Sequence, residues 1–329
     1  MMKKPLFITL FLAAVLLAGG TAQAYWVWSP DLGKWTNPKS SSKDDPQEQF
    51  NWAMQFYNEK NWDRAIDEFE KLPQAFPNSK LAAEGVYFTG LCWEAKNDDA
   101  KAADAYKKLV DRYPYSDRIK DAVTREFEIA GRFAKGGKIK VLGVPALAGQ
   151  EKALEIYKHI IRNAPFGTIG DQAQFKIGEL YQAQSEFEEA QKAFQAVVDE
   201  YPNSPLVPKA RYQIAQCSLL ASKRSQYSEA SAERAIEDFQ GFKQNFPADA
   251  QTLDADASIK ILRAKKAQTS YETAEFYEKN DKLKSAMVYY REIVDKFGDT
   301  PYGEKAKKRI DELSKRENTP PGKPWFKIW

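Results

Sequence analysis

Five prolines in this chain are each preceded, twelve residues earlier, by an alanine, and four residues after each alanine stands an aromatic ring. The alanines are Ala65, Ala102, Ala153, Ala190 and Ala235, and the rings are Phe69, Tyr106, Tyr157, Phe194 and Phe239. The prolines are Pro77, Pro114, Pro165, Pro202 and Pro247; a sixth copy keeps Ala286 and Tyr290 but has Gly298 in the proline's place. A pattern that returns every 37 residues where it is uninterrupted argues against one central core. It calls for a unit that buries its apolar face against copies of itself. Residues at i and i+4 share a helix face, so the alanine admits a neighbouring backbone and the ring fills the gap beside it. Proline then stops the helix, and the Ser or Thr that follows caps the next. Ser204-Pro205 and Thr300-Pro301 predict helices with proline at the first position, and Asp45-Pro46 predicts the opening of the first helix.

Upstream of each alanine lies a second small residue: Ala53, Gly90, Ala130, Gly178, Ala215 and Ala274. Phe56, Trp93, Phe133, Tyr181, Ser218 and Tyr277 follow three residues later. The two small residues are 12 apart in four units, 23 apart in the third and 20 apart in the fifth. The third unit therefore carries an insertion around 136–145 and the fifth one near 222–231. A stretch without Gly or Pro from Asp254 to Glu278 predicts one long helix before the last unit, and Pro301 to Arg316 predicts a charged helix that closes the array. Two helices per unit with these landmarks resemble the tetratricopeptide repeat. The resemblance implies an all-α fold, a right-handed α-solenoid of about six tetratricopeptide-like helix-turn-helix repeats with a C-terminal capping helix.

The ends read differently. Lys3 and Lys4, the apolar run Leu6 to Ala18 and the small-x-small site Ala22-Gln23-Ala24 predict a cleaved export signal over residues 1–24, with an uncleaved anchor as the alternative. Thirteen apolar residues fall short of the ~20 that span a bilayer. Residues 25–45 read as an aromatic lead, two short strands about Pro30-Asp31-Leu32-Gly33, and then a polar linker. The repeat array occupies 46–316. Residues 317–329 form a tail rich in Pro and aromatic residues, expected to dock on its own chain.

Composition closes off most chemistry. One histidine and two cysteines cannot supply a His/Cys metal site, and nucleophilic catalysis on Cys or Ser would hinge on His159 alone. The segment Gly131 to Lys138 fails the phosphate-loop spacing. Carboxylates sit among lysines at solvent-facing helical spacing, and His159 itself is expected on an exposed helix face. Cys92 and Cys217 lie three repeats apart and are expected as buried free thiols. No catalytic residue, cofactor or metal is expected. Residues 257–329 carry 17 Lys/Arg against 11 Asp/Glu, a bias that suits an acidic partner or anionic membrane surface or is simply a solvated face; no nucleic acid is implied.

Two surfaces are candidates for protein binding. A ring stands three residues before the small residue of every first helix: Phe50, Tyr87, Phe127, Phe175, Tyr212 and Tyr271. Recurrence in all units favours packing between repeats, yet Phe50, Met54, Tyr87 and Leu91 are the groove candidates because the first two units also carry exposed Gln and Asn. The second candidate is the apolar loop Val141 to Gly149, in particular Val141, Leu142 and Val144, which either folds back on the array or offers a contact.

The phrasing of the last unit, Ala274-Glu275-Phe276-Tyr277-Glu278-Lys279 through Ala286, Tyr289-Tyr290 and Gly298-Asp299-Thr300-Pro301, is similar to the outer-membrane protein assembly factor BamD family, as are the aromatic-Pro-x-Ser ends. The resemblance runs over residues 46–316. It implies a non-catalytic periplasmic scaffold, peripheral to the outer membrane, that binds the barrel-forming assembly subunit and unfolded outer-membrane proteins. Members of that family are lipoproteins of five repeats. Here Leu17-Ala18-Gly19 is followed by Gly20 rather than the acylated cysteine, so membrane contact would run through a partner. A tetratricopeptide interaction module for another envelope process, cell-wall coordination or secretion, is the alternative.

Overall fold

The computed structural model describes residues 27–29, 34–36, 41–136, 138–141, 144–164, 169–224 and 229–317. The expected export signal and most of the tail lie outside them. The chain divides into two bodies, residues 1–125 and 126–329.

The first body opens with two short strands, β1 (Val27–Ser29) and β2 (Lys34–Thr36), paired antiparallel with Trp28 opposite Trp35. Helices α1 (Pro46–Asn58), α2 (Trp62–Ala75), α3 (Lys80–Ala95) and α4 (Asp99–Arg112) follow, and α5 (Ile119–Ala134) begins here. The second body continues α5 into a hairpin of β3 (Lys138–Val141) and β4 (Val144–Ala148) and then α6 (Gly149–Asn163). Next come α7 (Gly170–Ala183), α8 (Phe187–Glu200), α9 (Val207–Arg224), α10 (Glu229–Asn245), α11 (Thr252–Lys279), α12 (Leu283–Phe297) and α13 (Pro301–Glu317). Within the described residues these make six helix pairs in series and a closing helix, the α-solenoid of tetratricopeptide repeats.

The landmarks explain the packing. All six alanines of the second helices and all six rings that follow them are fully buried. The small residue of the first helix is where the partner helix's ring comes to rest. A Cβ added at Gly90 would lie 2.4 Å from Tyr106 Cε1, and one at Gly178 would lie 2.5 Å from Phe194 Cε1. The ring preceding the small residue meets that same ring in every unit. The centroid separations are 5.8 Å for Phe50 and Phe69, 5.9 Å for Tyr87 and Tyr106, and 5.4 Å for Phe127 and Tyr157. They are 5.0 Å for Phe175 and Phe194, 5.9 Å for Tyr212 and Phe239, and 5.3 Å for Tyr271 and Tyr290. Packing between repeats is present at Phe50, whose ring also lies 5.6 Å from Phe88 of the next repeat. Each ring in addition pairs within its own repeat, because i−3 from the small residue lies on the same helix face as the incoming ring. Each such pair adds about 0.5–1.5 kcal/mol beyond its buried area.

Caps and turns follow the polar residues. Asp45 accepts from Gln47 N and Glu48 N with Pro46 at the first position of α1, and Ser79 caps α3. Thr300 accepts from Gly303 N at 3.2 Å ahead of Pro301. Ser204-Pro205 departs from expectation. Ser204 Oγ donates to Asp171 Oδ2 at 2.5 Å and accepts from Leu206 N at 3.1 Å, closing a turn that delays α9 until Val207. Between the paired helices, Lys60, Asn97, Ser185 and Asp281 adopt positive φ of 55 to 61°. In each case the next residue's N–H reaches back five positions, as from Asn61 to Phe56 O at 2.8 Å and Asp98 to Trp93 O at 2.9 Å, which satisfies carbonyls the helix leaves open.

Two further expectations are corrected. The apolar insertion is a β-hairpin rather than a loop. Lys138-Ile139-Lys140-Val141 alternates with period two and its apolar residues, Ile139 and Val141, are β-branched, while Gly136 at φ 103° releases the chain from α5. Pro145, which has no N–H to give, sits opposite Lys140 beside a register irregularity. His159 is not exposed: it is 4% accessible, its Nδ1 3.1 Å from Oε1 of Glu126, itself 1% accessible. The neighbouring first helix, not the solvent, covers this face of α6, and the pair shows that not every carboxylate of the chain lies on a solvated face.

The long helix was expected and is present as the 28-residue α11, roughly 42 Å from end to end. Its first half gives Ala255 and Leu262 to the core built on Phe239 and Phe242, and its second half gives Ala267 and Ala274 to the core built on Tyr290 and Ile293.

Candidate interaction surface

One helical turn beyond the small residue of the first helix lies a position that the packing leaves half open in five of the six repeats, the buried Leu219 of the fifth being the exception. Glu94, Gln182 and Glu278 occupy it in the second, fourth and sixth repeats. Each reaches a side chain 31 residues later, on the next first helix or the closing helix. Arg125 Nη1 donates to Glu94 Oε1 at 3.0 Å, Gln182 Nε2 to Gln213 Oε1 at 3.0 Å, and Arg309 Nε to Glu278 Oε2 at 2.9 Å. This periodic line of polar contacts stitches successive first helices together.

Two of the three also hold a buried tyrosine. Tyr106 Oη donates to Glu94 Oε1 at 2.6 Å, and Tyr290 Oη to Glu278 Oε2 at 3.1 Å. Burial first, and then the bond to the carboxylate, raise both phenols above their ordinary range, so they remain donors at any physiological pH. Where the ring is a phenylalanine, the position is free to change: Tyr57 accompanies Phe69, Gln182 accompanies Phe194 and Leu219 accompanies Phe239. The third repeat breaks the rule. It has Tyr157 but Ala134 in the carboxylate's place, and the buried Tyr157 hydroxyl finds no hydrogen-bond partner among the described residues. The matched occurrence of Tyr and Glu is present in the sequence, but only the geometry links the two positions.

The candidate groove residues fall on α1 and α3 in the first body. Phe50 is half-buried, its ring 5.6 Å from Phe88 as well as 5.8 Å from Phe69. Tyr87 is buried, with Arg118 4.9 Å over its ring and Arg125 Nε donating to its hydroxyl at 3.3 Å. Met54 and Leu91 keep partial exposure. Of the hairpin candidates, Val141 and Val144 are register partners at the hairpin's end, in the second body, and Leu142 lies outside the described residues.

At the far end, α11 and α13 border a cleft of about 440 Å³ lined by Tyr271, Glu275, Glu278, Lys305, Arg309 and Glu312. Both signs of charge are present, which suits a polar polypeptide rather than an apolar small molecule. Among the described residues no group of three or more His, Cys, Asp and Glu is placed to hold a metal, and no helix is long and apolar enough to cross a membrane. Cys92 and Cys217 are unpaired and fully buried, and burial pushes both thiols up to about 12.

Known proteins share parts of this architecture. Residues 50–117 match the tetratricopeptide repeat family. Among solved structures, the chain is similar to MamA protein, at 15% identity over 63% of this chain and 94% of that one, with a TM-score of 0.34. It is similar to a thermophilic tetratricopeptide protein of Thermus thermophilus, at 17% identity over 65% and 99%, with a TM-score of 0.32. YrrB, a tetratricopeptide protein with an unusual peptide-binding site, is 16% identical over 65% and 92%, with a TM-score of 0.34. No curated protein sequence matches. Tetratricopeptide repeats are a protein-interaction module, and this chain is a helical interaction scaffold. Residues 150–316, half of the sequence, match the profile of the outer membrane lipoprotein family YfiO, and the chain belongs to that family.

Proposed function

We propose that this protein is an exported, non-catalytic scaffold of the BamD type, working at the periplasmic side of the outer membrane in assembly of β-barrel proteins. Its partners on this reading are the barrel-forming assembly subunit and unfolded outer-membrane proteins. The observation that carries the reading is the family match over 150–316, which takes in the hairpin-free repeats of the second body and the closing helix. The line of polar contacts supports it, since half-open Glu, Gln and Arg side chains along first helices suit main-chain and polar groups of an extended polypeptide.

The exposed parts of Met54 and Leu91, with Phe50 and Tyr87 beneath them, form one contact surface on this proposal, and the hairpin bearing Val141, Leu142 and Val144 forms a second. In domain terms, a leader over 1–24 and a lead over 25–45 deliver a 46–316 scaffold, and 317–329 is its tail. The non-acylated state rests on Gly20 and on two cysteines that are both buried. Attachment to the outer membrane therefore runs chiefly through protein partners. The test is purification of the protein from membranes of the cells that make it. Co-purification of the barrel subunit is expected, and recovery only as free protein overturns the proposal.

The match of the first body to the generic repeat, rather than to the lipoprotein family, favours one second reading: a tetratricopeptide module for another envelope process, cell-wall coordination or secretion. Under it, a co-purified partner would be a cell-wall or secretion component instead.

A further inference from the structure

The β1–β2 ribbon holds two of the chain's largest apolar side chains in the open. Trp28 and Trp35 face one another across the strands, edge to face at 5.8 Å, yet they stay 48% and 62% accessible. A two-stranded ribbon has no core of its own and is marginal in water unless something covers a face. Among the described residues, neither ring is part of the apolar clusters built on Phe69, Phe194, Phe239 or Tyr290.

Two facts point to the occupant. The first is chemical: an indole is a broad apolar ring with one N–H donor, and tryptophan concentrates where hydrocarbon meets headgroups. Residues 25–35 hold Trp26, Trp28, Trp35 and Tyr25, three of the chain's eight tryptophans within eleven residues. The second is positional. The family is one of outer membrane lipoproteins, but the two thiols of this sequence are fully buried in repeat cores and offer nothing to an acyl group. The ribbon stands just after the apolar leader, where a lipid would otherwise join the chain to the bilayer.

We propose that the Trp28/Trp35 ribbon is a lipid-binding element that sits in the interfacial layer of a bilayer and holds the scaffold to the membrane directly, beside whatever protein partner it has. Six residues, Asn37 to Ser42, separate it from Lys43, whose N–H donates to Gln49 of α1 at 2.8 Å. At ~3.3 Å per residue they span at most about 20 Å, which leaves the repeats room to engage a partner while the ribbon rests in the headgroups. A single pair of indoles gives reversible, weak binding, and two weak attachments in series give a firm one.

The experiment is flotation of the purified full-length protein with vesicles of phosphatidylethanolamine and phosphatidylglycerol, which contain no protein. The wild type is expected to float. Trp28→Ser with Trp35→Ser is expected to lose roughly tenfold in partitioning while its helical circular dichroism and melting temperature hold, and Trp28→Tyr with Trp35→Tyr is expected to retain most of the binding. A wild type that stays with the soluble fraction overturns the proposal, as does a serine variant that floats equally well. So does a serine variant whose only defect is failure to retain a protein partner in detergent, because the ribbon would then be a protein contact. The vesicle result is independent of the barrel-assembly reading, which stands or falls on the co-purified partner.

Discussion

Tyr106 donates its hydroxyl to Glu94 at 2.6 Å, and the same carboxylate oxygen takes Arg125 from the next first helix at 3.0 Å. One carboxylate thus satisfies a buried phenol inside its repeat and grips the helix that follows. Tyr106→Phe removes a bond to a charged acceptor and should cost about 1.5–3 kcal/mol. Tyr157→Phe removes a hydroxyl without a hydrogen-bond partner among the described residues and should be neutral or slightly stabilising. Urea denaturation of the two variants checks the contrast. Equal losses would mean that the Glu94 bond is not what separates the two sites.

A complementary prediction concerns the position that Tyr157 lacks. Ala134→Glu restores the Tyr–Glu pairing of the second and sixth repeats and should raise the midpoint of thermal unfolding. In the Tyr157→Phe background the same glutamate has no donor to meet, and the gain should vanish. A double-mutant cycle measures the coupling, expected at about 1 kcal/mol.

Gly90 and Gly178 carry the closest helix approaches described above. Gly90→Ala pushes a methyl group into Tyr106, and the side chain cannot retreat from a fully packed site. The expected loss is about 1–3 kcal/mol despite alanine's better helix propensity. Gly241, whose Cβ would meet nothing within 4 Å, is the control: Gly241→Ala should stabilise by up to ~1 kcal/mol. Chemical denaturation that ranks the two alike would count against the packing account.

The positive φ at Lys60 and Asn97 is strain that a glycine would relieve. Lys60→Gly should stabilise by about 0.5–1 kcal/mol, and Asn97→Gly by less, since asparagine already tolerates this region. Melting temperatures of the single variants and their combination test this, and the two effects should add across repeats.

The thiols provide a pH-dependent readout. Burial raises Cys92 and Cys217 to about 12, so at pH 8 only about one molecule in ten thousand carries the reactive thiolate at either site. Because the folded values lie above the unfolded ones, folding disfavours thiolate, and stability from this source falls as pH rises through the unfolded thiol range. Iodoacetamide at pH 8 should leave both residues unmodified in the native protein and alkylate both in urea. Rapid native labelling would show that these cores open readily.

The fold was legible because its physics is periodic. Ala65, Ala102, Ala153, Ala190, Ala235 and Ala286 recur with their rings and stop signals, and all twelve residues land at full burial. What the sequence hid was contact between residues on different helices. His159 looked exposed because its own helix leaves it two residues from a packing ring. Only the approach of Glu126, 33 residues away, covers it. The Val141 to Gly149 segment read as a loop because apolar residues without helical spacing suggest no element, and the strand it pairs with is only four residues long. The groove candidates were chosen by position along first helices, and that choice found Tyr87 without foreseeing that Arg118 and Arg125 already occupy it.

Helix α11 feeds two cores, with Leu262 in the one around Phe239 and Ala274 in the one around Tyr290. Neither core can come apart while the other stays whole without breaking a continuous 28-residue helix in its middle. The last two repeats should therefore open together. Their amides should exchange with solvent at a shared rate set by one cooperative event, in contrast to the graded fraying usual at the end of a repeat array.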